Sequence, residues 1–455
     1  MTGACLAHLG HKVTCVDRNE ERLGGLRSGR MPFYEPGLED LVVRGVGRGR
    51  LDFVGVEDLT GLVEEVDAIF VSVDTPQGED GSADLSSVAE VARRIGGALP
   101  RANRERPLIV VNKSTVPVGS GDYVSMLIHE GIEEAGVAAD DAAAAASGAP
   151  GFLVVSNPEF LREGSAVYDT LFPDRIVAGA DSREALDVLR VLYEPIIEQS
   201  FPTQLDPRPK VAVPFVTTDL ASAEMIKYAA NAFLAAKISF INEVGNICEL
   251  VGADVSEVAY GIGLDGRIGS RFLSAGIGWG GSCFPKDIAA LRAAAREYDY
   301  ETTLLDAVAS VNARQRKQVI SKLQRELHTL KGKRIALLGL SFKPNTDDLR
   351  EAPSLQIASV LNSLGARVIG YDPVAGKAAA EKLPSLKVVF DDPYEALAGA
   401  HAAVLLTEWE EIASLDLRRA SALMDEPKVL VDGRNALDPA AALEAGISYR
   451  GFGRG

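Results

Sequence analysis

Four apolar runs, KVTCVD (12–17), DAIFVSV (67–73), PLIVVNKS (107–114) and GFLVVSNPEF (151–160), follow one another with helical stretches between them. Runs this continuous leave no polar face, so each strand needs cover on both sides, which is the condition of a parallel sheet flanked by helices. The alternation predicts an α/β chain with doubly wound sheets. A second set starts at RIALLGLSFK and continues through ARVIGYDP, LKVVFDD, HAAVLLTEW and KVLVDGRN. It echoes the first: GHKVTCVDRN resembles GARVIGYDPV, and VDAIFVSVDTP resembles AHAAVLLTEW.

The echo exposes a difference. The second half has a first strand, Arg334 to Leu340, for which the first half shows no counterpart. Thr2 to Gly10 reads as a helix and Val13 to Asp17 as a strand ending in an acid. In a dinucleotide-binding unit such an acid holds the adenosine ribose, about 20 residues after a glycine-rich turn. Only sixteen residues precede Asp17, and they hold no G-x-G-x-x-G. The expectation is a nucleotide-binding sheet whose first, central strand is missing. The Asp140–Pro150 stretch, DDAAAAASGAP, is low in complexity and suits a surface connection.

From Thr217 to about Val251 the pattern is one long helix, with Asp219 as a cap near its start and Gly252 at its end. A helix of that length suits a spine between domains or a contact between two copies. With further helical segments to about Leu330, the organisation is three parts: 1–208, 209–328 and 329–455.

A formal charge of −17 argues against nucleic acid or an anionic membrane as partner. No run reaches the roughly 18 apolar residues of a membrane span. Four scattered cysteines and five histidines offer neither a disulfide framework nor metal-ligand spacing, so no metal is expected and a reducing cytoplasm is the default.

The segment GIGWGGSCFPKD (276–287) carries the clearest chemistry. Its glycines allow close backbone approach, and Pro285 suits the first turn of a helix. Cys283 then sits at a helix N-terminus with Lys286 near, both of which favour the reactive thiolate. Asp287 falls one turn further on. Lys227 and Asn231, four apart in MIKYAAN, face the same way among apolar neighbours. Glu159 and Glu163 follow the strand FLVVSN, where ligands of such sheets bind, and suit a general base and a water positioner. Thr115 in NKSTVPVG and Thr75 in SVDTP stand at similar strand ends. Lys343, Arg350 and Arg434 add positive groups at strand ends of the second half, as a phosphate-bearing ligand requires. A thiol beside a dinucleotide unit points to an alcohol oxidised to an aldehyde, captured as a thiohemiacetal, oxidised to a thioester and released by water as an acid.

Over nearly its whole length the chain resembles the UDP-glucose/GDP-mannose dehydrogenase family. The resemblance rests on YEPGLEDL, STVPVG, NPEFLREGSAVYD, PDRIVAG, IKYAANAFLAAKISFINE, RIGSRFLSAGIGWGGSCFPKD, GLSFKPNTDDLRE and DGRN. It implies two Rossmann-like domains joined by a central helical domain, NAD as cofactor, a nucleotide sugar as substrate and a homodimer through the long helix. The GIGLDGRIG and FLSAGIGWGG context favours UDP-glucose; GDP-mannose, a UDP-N-acetylhexosamine, or binding without catalysis are the alternatives. By resemblance, Cys283 is the nucleophile, Lys227 and Asp287 serve the first oxidation, Asn231 holds the oxyanion and Glu159 acts in thioester hydrolysis. Thr115 and Glu163 lie near cofactor and water. Asp17, Arg22, Thr75, Lys286 and Arg350 match NAD contacts. Phe160, Leu161, Phe272, the Ser274–Gly280 loop, Lys343 and Arg434 match the sugar-nucleotide site, and Arg267 matches an arginine offered across the dimer. The resemblance also implies a strand and a G-x-G-Y-V-G turn ahead of Thr2, hence a gene start upstream of Met1.

Overall fold

The computed structural model describes residues 1–78, 80–135, 151–203 and 211–454. The low-complexity segment Asp140–Pro150 lies outside the described residues. The chain divides into two compact units, Met1–Ala229 with Ala289–Asp299, and Ala230–Ile288 with Tyr300–Gly455. The boundary falls inside two helices, Leu220–Val251 and Phe284–Glu297.

The second unit holds a six-stranded parallel sheet, in the spatial order Lys387–Val389, Arg367–Tyr371, Arg334–Leu338, Ala402–Leu405, Val429–Asp432, Ser448–Arg450. Its first strand in sequence lies in the middle and pairs on both edges, with Arg367–Tyr371 and with Ala402–Leu405. Both faces are covered, as the apolar runs require. Ile335 and Leu337 pack into one core, Ala336 and Leu338 into another. The strand stops at Leu338 rather than Leu340, because Gly339 turns the chain at φ 83°.

The first unit is wound the same way but split. Val13–Val16 pairs in parallel with Leu51–Val54 in a two-stranded sheet. A separate five-stranded sheet runs Ala68–Val71, Leu108–Asn112, Phe152–Ser156, Ile176–Gly179, Phe215–Thr218. Among the described residues no strand stands between Val13–Val16 and Ala68–Val71, the place Arg334–Leu338 fills in the second unit. Of the residues in those two strands only Val71 is buried. Their equivalents in the second unit, Arg367–Tyr371 and Ala402–Leu405, are buried at every position but Arg367.

Two details differ from the sequence expectation. Ile176–Gly179 meets Phe152–Ser156 through a single antiparallel pairing, Ser156 with Gly179, so this sheet is not wholly parallel. The long helix begins at Leu220, not Thr217. Thr217 and Thr218 are β-branched and pair with Ala178 and Gly179 as a strand. Asp219 then caps the helix, its carboxylate accepting the Ser222 amide at 2.7 Å.

Two half-exposed strand edges leave backbone groups for a further strand to satisfy. A chain extended at its N-terminus by a short turn and a strand of the Arg334–Leu340 type is expected to melt about 5–10 °C higher in calorimetry. An unchanged midpoint would show that the two edges gain nothing from it.

Candidate active site

In the first unit, the functional side chains stand at the carboxyl ends of strands. Asp17 directly follows Val13–Val16. Its carboxylate accepts the Asn19 amide and the Arg22 guanidinium, each at 2.9 Å. Asn19 caps the helix Glu20–Arg27, which is why Arg22 turns back over Asp17. Thr75 is buried, and its hydroxyl donates to the Thr115 carbonyl at 2.8 Å, tying together the loops after two neighbouring strands.

Glu159, Phe160 and Leu161 leave the strand Phe152–Ser156 and line one pocket with Lys113, Asn157, Arg175 and Tyr193. The Phe160 ring is held between two cations, the Arg175 guanidinium at 3.8 Å and the Lys227 ammonium at 5.6 Å from its centroid. The turn after Glu163 is fixed by Glu35 of the YEPGLEDL motif. Its buried carboxylate accepts the amides of Gly164 and Ala166 at 2.6 and 2.7 Å. Thr115 and Lys227 line a second, smaller cavity.

Lys113 is a member of this group that the sequence motifs do not single out. Its ammonium donates to Asn157 Oδ1 at 3.1 Å, and the Tyr193 hydroxyl donates to the same oxygen at 2.7 Å. Asn157 is fixed in turn by the Val177 carbonyl at 2.7 Å. Burial pushes the Lys113 amine down to about 8, against the pull of Glu159. A charged residue at the end of so apolar a run is the available signal. Glu224 is a second such member. It is a buried carboxylate three residues before Lys227, and it accepts the amides of Gly119 and Gly121 and the Ser156 hydroxyl, each at 2.8 Å. Burial raises its pKa.

In the second unit, Cys283 immediately precedes the helix Phe284–Glu297, and its carbonyl accepts the Asp287 amide at 3.0 Å, closing the first turn. The thiol is unbridged and half-buried. Asp287 is fully buried, and its charge is met from two sides: Asn231 Nδ2 at 2.5 Å and Lys286 Nζ at 2.7 Å. The structure thus joins Asn231 to Asp287, residues that belong to separate sequence motifs. The glycines of GIGWGGSC are required by the protein's own packing. A Cβ on Gly276 would stand 2.4 Å from the Gly433 carbonyl, and one on Gly280 2.3 Å from the Glu351 carbonyl.

Arg434 spends three donors on carbonyls, Leu406 at 2.8 Å, Phe342 at 3.0 Å and Gly278 at 3.4 Å, so it fixes the loops that carry Gly280 and Lys343. Arg350 is paired with Asp348, and its carbonyl accepts the Gly281 amide at 3.1 Å. Arg267 is exposed and forms a fork with Asp265 at 2.6 Å, while Ser274 is exposed and Phe272 sits at φ 65°. Among the described residues, no hydrogen bond ties these last three to the Cys283 group. No group of three or more metal-binding side chains occurs among the described residues, and no helix there is long and apolar enough to cross a membrane.

An open parallel sheet with a solvent-facing acid and arginine at a strand end fits the ribose of a dinucleotide, and the class this defines is the NAD-dependent dehydrogenases. The chain belongs to the UDP-glucose/GDP-mannose dehydrogenase family. It matches that family's NAD-binding domain over residues 1–197, its central domain over 221–314 and its UDP-binding domain over 336–439. It is 42% identical over 454 residues to the UDP-glucose 6-dehydrogenase TuaD of Bacillus subtilis, covering 100% of this chain and 90% of that protein. It is 43% identical to the UDP-glucose 6-dehydrogenase of Rhizobium meliloti, covering 100% and 97%. Among solved structures, a UDP-glucose dehydrogenase from the archaeon Pyrobaculum islandicum superposes with a TM-score of 0.85 at 38% identity, covering 100% of this chain and 94% of that one.

Lys113 yields a pH test. Its lowered pKa means that the unfolded chain binds the extra proton between pH 8 and the ordinary lysine value, so wild-type stability rises across that window. Replacing Lys113 with Met removes the cost of the buried charge. The variant's advantage in urea unfolding is therefore expected to be largest below pH 8 and to shrink as pH rises towards 10.5. An advantage constant from pH 7 to 10.5 would contradict the buried ammonium.

Proposed function

We propose that this enzyme oxidises UDP-glucose to UDP-glucuronate in two NAD-dependent steps, with Cys283 holding the half-oxidised sugar. The supporting observation is the placement of Cys283 at a helix N-terminus one turn from Asp287, itself buried and held by Asn231 and Lys286. The helix terminus favours the thiolate, and the fixed carboxylate has an orientation that solvent cannot change.

When bound, NAD would supply the hydride acceptor for each of the two oxidations. Lys227 accepts the proton of the sugar's primary hydroxyl, and Asn231 donates a hydrogen bond to the oxygen left behind. Asp287 orders a water for the same step. The Cys283 thiolate adds to the aldehyde carbon, giving a thiohemiacetal that the second oxidation turns into a thioester. Glu159 then takes a proton from water, which attacks the thioester carbon; the carboxylate leaves and the thiolate returns. Thr115 and Glu163 border this water and the cofactor.

The cofactor is assigned to residues 1–208, with Asp17 and Arg22 on its ribose and Thr75, Lys286 and Arg350 as further contacts. The sugar nucleotide is assigned to Phe160, Leu161, Phe272, Ser274 and Gly280, with Lys343 and Arg434 from 329–455. UDP-glucose with two NADH formed per sugar is the expected outcome in a spectrophotometric substrate panel. Turnover of GDP-mannose or a UDP-N-acetylhexosamine in its place would overturn the choice of sugar, and nucleotide binding without NADH would overturn catalysis. Cys283→Ser is expected to lose UDP-glucuronate production by on the order of 10³-fold or more while still binding UDP-glucose. Full product formation by that variant excludes the covalent route.

Segment 209–328 is assigned to a homodimer. Phe233, Phe240 and Ile247 recur every seventh residue on the long helix and are 68%, 55% and 52% exposed, an apolar stripe that water disfavours. Phe240→Asp is expected to convert dimer to monomer in sedimentation, and Arg267 would then lose the copy it serves. An unshifted sedimentation coefficient would remove the stripe as the contact. The enzyme is assigned to a reducing cytoplasm; no disulfide links Cys5, Cys15, Cys248 or Cys283.

A further inference from the structure

Asn112 ends the strand Leu108–Asn112 at the floor of the smaller cavity of the first unit. The side chain is 2% exposed, and neither its Oδ1 nor its Nδ2 has a hydrogen-bond partner among the described residues. A buried primary amide with both ends unmet is costly, so such groups occur where something small and polar meets them. The cavity it lines has a volume of about 10 Å³, the room one water molecule needs. Its other polar walls are Ser114, Thr115, Ser156, Glu224 and Lys227. Three of these are already committed: Ser114 donates to the Val73 carbonyl, Ser156 donates to Glu224, and Glu224 accepts the amides of Gly119 and Gly121. Lys227 is buried, and its Nζ stands 5.6 Å from the centre of the Phe160 ring.

We propose that this cavity is a fixed water site, bound by both ends of the Asn112 amide, and that its water is the hydrogen-bond partner that positions Lys227. The inference rests on the reading of Lys227 as the base of the first oxidation. When the amine takes the substrate proton it becomes an ammonium on a buried side chain, and a water anchored by Asn112 solvates that charge at the moment it forms. Asn112 is thus a positioning residue that acts through water and touches no reacting atom. The other charges facing Lys227 are Glu224 on its own helix, and Lys113 and Glu159, which interact electrostatically across the strand ends.

Two measurements decide it. In a crystal structure of the intact chain at better than about 1.8 Å, an ordered water bonded to Asn112 within the cavity is expected; this arm needs no activity and stands whatever the fate of the proposed reaction. A dry cavity, or an Asn112 amide turned onto protein atoms, would overturn the proposal. In stopped-flow kinetics of the first oxidation, Asn112→Leu is expected to slow the plateau rate about tenfold and to move the acid limb of the kcat/KM profile to lower pH, with KM for UDP-glucose unchanged. Asn112→Thr keeps a hydroxyl for the water and is expected to recover most of the rate. A Leu variant with an unmoved limb, or a Thr variant no better than Leu, would make Asn112 structural only and overturn the proposal.

Discussion

A strand inside a parallel sheet must bond along both edges, because nothing else reaches its buried amides and carbonyls. Arg334–Leu338 meets that condition in the second unit, and the geometry around it depends on its doing so. The turn at Gly339 to Ser341 is placed by it, and so is the loop after it that carries Lys343. In the first unit, the two-stranded and five-stranded sheets are joined by packing instead of by backbone bonds. Ala4, Cys5, Leu6 and Ala7 of the opening helix share one core with Ile109, Val111 and Val155. Gly3 lies so close to the small sheet that a Cβ would stand 2.8 Å from the Cys15 sulfur. Asp17 is therefore positioned, relative to the five-stranded sheet, by apolar contacts, the less directional of the two means.

Around the catalytic positions the work of fixing geometry falls to buried carboxylates. Glu35, Glu224 and Asp287 are each out of water; the first two accept two or more donors from segments distant in sequence, and Asp287 accepts one from distant Asn231 and one from adjacent Lys286. A buried carboxylate is costly unless so satisfied, and once satisfied it resists displacement. The loops bearing Glu163, Thr115 and Cys283 are thus each held by a neighbouring acid. This explains how a chain with a formal charge of −17 builds a site for an anionic substrate. Of the negative groups near the site, Glu35, Glu224 and Asp287 are consumed by backbone amides, Ser156, Asn231 and Lys286.

The parts legible in sequence were those with a period or a punctuation mark. Continuous apolar runs announced the longer parallel strands, Gly10 and Asp219 marked helix ends, and Pro285 placed Cys283 at a helix start. Ile176–Gly179, Phe215–Thr218 and Ser448–Arg450 stand outside the apolar runs read as strands, although they are as long as Val13–Val16 or Lys387–Val389, and they form where a neighbouring strand offers them bonds. The same limit applies to the site. Spacing brought Cys283 to Asp287 because both belong to one helix turn. The Asn231–Asp287 bond and the Lys113–Asn157–Tyr193 cluster join residues 36 to 56 apart, and no local pattern encodes such distances.

The echo between the halves also explains why they differ in use. Asp17 and Asp372 end corresponding strands, in VTCVD and VIGYD. Asp372 is buried and saturated: it accepts the amides of Leu340, Ser341, Val374 and Ala375, the Ser341 hydroxyl and the Trp409 indole. Four of these donors come from the turn after the central strand or from the side chain of Trp409, so the acid serves to lock its own sheet and has nothing left for a ribose. Asp17 meets only the Asn19 amide and the Arg22 guanidinium and keeps lone pairs facing solvent. Asp372 thus locks the turn beside it, while among the described residues Asp17 is held by the start of its own helix, through Asn19 and Arg22.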